Sequence, residues 1–88
     1  MIKLHARYDR RADVMYLFTD RNGVAHAQET PEGIVWRYLD ADDVLVGATI
    51  IDFEEIWSTR FSELVGRLAD RFHVPPPSAA RVLEAARA

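Results

Sequence analysis

Tyr8-Asp9-Arg10-Arg11-Ala12-Asp13-Val14-Met15-Tyr16-Leu17 joins the end of one strand to the start of the next through a tight polar corner. Ahead of it, Ile2, Leu4, Ala6 and Tyr8 alternate with Lys3, His5 and Arg7. Period two with one wet face predicts a half-buried antiparallel strand. Asp9 is placed to accept bonds from its own downstream backbone in an Asx-turn, and Asp9 and Asp13 are read as structural turn residues of the corner. Beyond it, Val14, Tyr16 and Phe18 alternate with Met15 and Leu17. Apolar side chains on both faces predict a central strand. Val14, Tyr16 and Phe18 are expected to face a helix, and Met15 and Leu17 to lie on the other side.

Three further strands follow. Asp20-Arg21-Asn22-Gly23 predicts a hairpin with Asn22 and Gly23 as structural turn residues, since Asn-Gly readily supplies the positive φ of a tight turn. Residues 24–30 make a weak edge strand, and Pro31-Glu32-Gly33 turns the chain again. In residues 34–40, Ile34, Trp36 and Tyr38 point one way and Val35 and Leu39 the other. A polar turn, Asp40-Ala41-Asp42-Asp43, leads to a last strand over 44–51, where Gly47 marks a bulge or a close backbone approach.

The period then changes to that of a helix. Phe53, Ile56, Trp57, Phe61, Leu64, Val65, Leu68 and Phe72 form one stripe of an amphipathic helix about five turns long. Asp52 with Glu55 resembles a capping box, Ser58-Thr59 can interrupt the helix, and Gly66 weakens it. Pro75-Pro76-Pro77 is read as a stiff spacer, after which Ser78 caps a tail helix with Val82, Leu83 and Ala86 as its apolar stripe. The expected fold is therefore α+β. It is an antiparallel β-meander of four to five strands on one long amphipathic helix, with a short C-terminal tail helix. One domain spans residues 1–73, and residues 74–88 form the spacer and tail.

Composition sets the class. The chain has 88 residues, 49% of them apolar and 28% charged, with a net charge of −3, which is ordinary for one small globular domain. It has no cysteine, so disulfides, thiolate nucleophiles and Cys-based zinc sites are excluded. No apolar run approaches the roughly 20 residues of a membrane span. Met1-Ile2-Lys3-Leu4-His5 alternates, unlike the apolar region of a signal peptide, and a cytoplasmic location is expected. Charge is uneven: Lys3, Arg7, Arg10 and Arg11 stand against Asp9 alone, whereas residues 40–55 are acidic with no base.

Several of these features occur in a familiar order. Tyr8-Asp9, the run from Ala12 to Leu17, Gly33-Ile34-Val35, the acidic turn from Asp40 to Asp43 and Val46-Gly47 resemble the family of small bacterial proteins called domain of unknown function 2283. The resemblance covers residues 2–52, and residues 8–17 are its most specific part. Thr49 stands where the family commonly carries Glu, and the acidic turn lacks the usual Gly. The resemblance implies a meander sheet with a helix and no established activity. For some members it implies an antitoxin-like partnership with a small toxin.

The residues offer little chemistry. Asp9 and Asp13 are the best carboxylate pair, but an acid/base pair needs two carboxyls in different environments flanking a substrate. Asp40, Asp42 and Asp43 lack the central Gly and closing Glu of a calcium loop. His5, His26 and His73 sit on three separate elements. No catalytic residue, metal ligand or cofactor is assigned, and no enzyme is expected. What remains is surface. If Met15, Leu17, Val35, Leu39 and Leu45 share the face away from the long helix, that face needs a lid: the tail helix through Val82 and Leu83, a second copy, or a partner protein. The expected role is a homodimeric protein-interaction module, antitoxin-like by resemblance. A second expectation is nucleic-acid binding through Lys3, His5, Arg7, Arg10 and Arg11, weakened steeply by salt. A third is a small hydrolase using Asp9 or Asp13.

Overall fold

The computed structural model describes residues 2–88. Strands β1 (His5–Asp9) and β2 (Val14–Phe18) flank the corner and pair antiparallel, Tyr8 opposite Met15 and Ala6 opposite Leu17. β3 (Ala25–Glu29), β4 (Ile34–Leu39) and β5 (Leu45–Ile51) follow as successive hairpins. The five strands form one antiparallel, meander-like sheet in the order β1-β2-β5-β4-β3. β5 therefore slots beside β2, and the β2–β3 connection crosses to the far edge. Asn22 and Gly23 lie in that crossing and not in a tight hairpin, because the neighbour of β2 is β5. Gly23 there packs against Leu39. The bulge expected at Gly47 is present: Arg37 pairs with Gly47 and Tyr38 with Leu45, leaving Val46 as the extra residue.

Helix α1 (Phe53–Trp57), a 3₁₀ turn (Ser58–Arg60) and α2 (Phe61–Phe72) follow the sheet, so the long stripe is broken at Ser58-Thr59. His73 ends α2 in the left-handed conformation, φ 58°, its N–H donating to the Ala69 carbonyl. α3 (Pro76–Arg87) starts earlier than expected, after Pro75 and without a side-chain cap. Pro76 and Pro77 are its first turn and not a spacer, since the proline φ suits the positions where a helix leaves its N–H groups unbonded anyway.

All three helices pack on one face of the sheet. Met15, Leu17, Ile34, Trp36, Ala48 and Ile50 meet Phe53, Trp57, Leu64, Leu68, Phe72, Ala79 and Leu83 in a single core. This reverses the expected faces of β2. Met15 and Leu17 are fully buried against the helices, while Val14, Tyr16 and Phe18 point the other way. The physical reason is the register: residues directly opposite in an antiparallel pair share a face, so the apolar side of β1 carries Met15 and Leu17 with it. Of the residues expected on a free surface, Leu39 and Leu83 are also buried, and half-buried Leu45 and Val82 pack on the core. Val35 and Leu39 remain on the other face with Arg37, and there Leu39 is buried beside Gly23 of the β2–β3 crossing.

Candidate functional site

The face away from the helices carries a defined pattern. Its central row, read across the paired strands, is Arg7, Tyr16, Thr49, Val35 and Glu29. The next row is His5, Phe18, Gly47, Arg37 and Ala27, and Val14 sits opposite Ile51 on the other side. Phe18 is 42% exposed and Ile51 41%, large values for side chains in the middle strands of a sheet. The rings are held by their neighbours: the Arg7 guanidinium lies 4.6 Å from the Tyr16 ring centre, and His5 stacks on Phe18 at 5.5 Å. Such contacts keep aromatic side chains ordered on a wet face.

A hollow of about 330 Å³ opens at the bulge. Its floor is Gly47 and Ala48, its sides include Tyr16, Phe18, Thr49, Arg7 and Arg37, and the β2–β3 crossing walls one end with Arg21. The hollow exists because Gly47 has no side chain; a Cβ there would stand 3.3 Å from the Leu17 carbonyl and 3.7 Å from Arg37 Cβ. Arg21 is held by Asp42 at 2.9 Å, so Arg7 and Arg37 are the cations left facing the hollow. Neither Asp9 nor Asp13 lines it.

Asp13 has a different task from the one its sequence position suggests. It adopts the left-handed conformation at φ 57° and reaches across to α1, accepting the backbone N–H of Glu54 at 2.8 Å and of Glu55 at 3.2 Å. The Tyr8 hydroxyl donates to the same carboxylate at 2.7 Å. Asp52, expected as the cap, makes no side-chain cap bond. Burial pushes the Asp13 carboxyl up, but the Glu54 N–H, the Tyr8 hydroxyl and the Glu55 N–H outweigh it and hold its pKa below the ordinary value. Tyr8 is pushed up to about 12, first by its bond to Asp13, then by desolvation and the charges of Asp13 and Glu54. Asp13, Asp52 and Glu55 each bring one oxygen within 4.8 Å of the others, the one grouping among the described residues with the makings of a cation site. Both Asp13 oxygens are already bonded to N–H groups, so the arrangement reads as a helix cap. No signal local to Asp13 points to a helix so far along the chain.

The other singled-out residues are distributed. Asp9 accepts the N–H of Arg11 and of Ala12, each at 3.2 Å, closing the corner. His26 lies between Asp40 at 2.7 Å and Asp43 at 3.2 Å, and His5 meets Asp20 at 2.6 Å, all at the surface. The five basic residues expected as a docking strip do not share one surface. His5 and Arg7 lie on the open face, whereas Arg10 turns to the end of α3, 3.1 Å from the Arg87 carbonyl and 3.2 Å from that of Ala88. Lys3 and Arg11 are exposed outside the strands. Arg37, passed over in the sequence, joins Arg7 instead; the register supplies that pairing. No helix among the described residues is long and apolar enough to cross a membrane.

No curated protein and no solved structure matches the chain. A family model described as Protein of unknown function (DUF2283) matches residues 5–53, the five strands and the first residue of α1, and the chain belongs to that family.

Proposed function

We propose that this protein is a non-enzymatic protein-interaction module that works through the open face of its sheet. The observation that carries the reading is the placement of all three helices on one face, which leaves Phe18, Ile51, Val14, Tyr16 and Val35 without a cover. Contiguous apolar surface rimmed by polar groups marks sites of protein association. The antitoxin-like role implied by the resemblance is one form of this reading and would use the same face. A chain without cysteine suits a reducing cytoplasm.

The test is a photo-cross-linking amino acid placed at position 18, with position 81 on the exposed side of α3 as the control. A protein adduct is expected from position 18 and none from position 81. Absence of any protein adduct from position 18 overturns the reading.

A second reading, nucleic-acid binding, is favoured by Arg7 and Arg37 beside a hollow that also holds Tyr16. Bases stack on aromatic rings while cations hold the phosphates. It predicts retention of single-stranded DNA or RNA at low salt, lost steeply as salt rises. Equal mobility with and without the protein at low salt removes it.

A further inference from the structure

The central row of the open face has opposite charges at its two ends, Arg7 on edge strand β1 and Glu29 on edge strand β3, with Tyr16, Thr49 and Val35 between them. Neither end charge is in an ion pair among the described residues. We propose, resting on the interaction reading above, that the partner of this face is a second copy of the chain, related by a twofold axis that lies between the two sheets and runs along β5.

Face-to-face sheets keep their strands within about 30° of one another, roughly 10 Å apart. A twofold axis along the strands keeps each row at its own height and exchanges its two ends. β1 then lies over the partner's β3, and β2 over the partner's β4. Arg7 meets the partner's Glu29, and by symmetry Glu29 meets the partner's Arg7. Tyr16 meets the partner's Val35. Phe18 meets the partner's Arg37, a cation over an exposed ring beside the hollow at Gly47. Thr49 and Ile51, on β5, meet their own copies, so the apolar Ile51 pair sits on the axis. The alternative axis, at right angles to the strands through the same row, places Arg7 over Arg7 and Glu29 over Glu29. Like charges facing each other disfavour it, and the charge pattern thereby selects both partner and orientation.

The size of the face bounds the affinity. Five strands at about 4.8 Å spacing and about 17 Å length give a projected area on the order of 400 Å² per copy. That is small beside the roughly 800 Å² of accessible surface per partner in a standard interface, which favours a weak, concentration-dependent association.

Sedimentation velocity over a micromolar to millimolar series is expected to show a monomer–dimer equilibrium. R7E and E29R should each weaken it by about tenfold, and I51K should abolish it. The double variant R7E/E29R should return it to near the starting value, because exchanging the two ends of the row restores the pairing. Arg7 and Glu29 are exposed, and circular dichroism checks that each variant is folded. A monomer across the whole series overturns the proposal, as does a dimer indifferent to these substitutions or a double variant weaker than either single one. Cross-links from position 18 separate this from the broader reading. Self-adducts support both. Adducts with a different protein overturn the second-copy proposal and leave the interaction reading standing, whereas adducts with nucleic acid alone overturn both.

Discussion

Asp13 shows how one carboxylate ties the hairpin corner to the helix layer. It accepts two backbone N–H groups at the start of α1 and a hydroxyl from β1, while holding a left-handed backbone. Loss of a cap costs about 1 kcal/mol, and a left-handed conformation costs most residues about 1–2 kcal/mol, with Asn and Asp the tolerant exceptions. D13A is therefore expected to destabilise the fold by about 2 kcal/mol and D13N by about half that, read from urea midpoints with unchanged slope. Protonation tests the same contacts. Because the Asp13 pKa is depressed in the fold, its contribution is complete above the ordinary carboxylate pKa of about 3.9 and is lost as pH falls through the lower folded value. D13N should thus flatten the acid limb of the stability profile. Tyr8 behaves oppositely. Its stabilising bond is complete below the ordinary tyrosine pKa of about 10 and is lost as pH rises toward the folded value of about 12. Phenolate absorbance should show a late-titrating tyrosine that Y8F removes and D13N returns toward the ordinary value. An unshifted profile in D13N would refute the bond as the cause. The Asx-turn at Asp9 is readable from a few neighbouring residues. The cap made by Asp13 is not, since its donors lie 41 and 42 residues away.

Elements were readable where the signal is local and went astray where a neighbour decides. The strand read over residues 2–8 is present as β1 over His5–Asp9, the helical stripe from Phe53 is present with a break at Ser58–Arg60, and the bulge at Gly47 is present, each following from spacing or from a missing side chain. Asn22-Gly23 carries a strong hairpin preference, yet β5 supplies a better partner for β2 than β3 does. Ala25, His26, Ala27, Gln28 and Glu29 offer little to bury, whereas β5 brings Ala48 and Ile50 into the core. The tail helix starts earlier than a stiff spacer at Pro75-Pro76-Pro77 would allow, because proline is also well suited to a first turn. Gly66 allows a direct test of propensity. It sits exposed within α2, and a Cβ there would meet nothing within 4 Å. G66A should stabilise the fold by about 1 kcal/mol, raising the melting temperature by about 5 °C. A neutral or lowered melting temperature would show that the break at Ser58–Arg60, and not helix propensity, limits this segment.

At the scale of the molecule, the decisive fact is which side of the sheet the helices take. Period two in β2 shows that its faces alternate and leaves open which one is buried. Tyr16 and Phe18 carry the rings of β2, which points to their side as the core. The hairpin contains the correction: a four-residue corner over 10–13 pairs Asp9 with Val14, which puts Tyr8 with Met15 and Ala6 with Leu17. The apolar side of β1 therefore predicts the buried side of β2 once the corner length is used. The fate of the tail could not be read this way, because a short apolar stripe does not specify its dock. In the structure Ala79 and Leu83 are fully buried, and α3 packs with β1 and α2 in the common core. Removing the Leu83 side chain should leave a cavity in that core and cost about 3 kcal/mol. Trp36 and Trp57 are buried in the same cluster, so their fluorescence reports on the whole core. L83A is expected to lower the fluorescence and circular dichroism transitions together, in one cooperative step. A tail that merely rested on a finished domain would lose helix first and leave the tryptophan transition where it was, and that separation is the result that would detach α3 from the core.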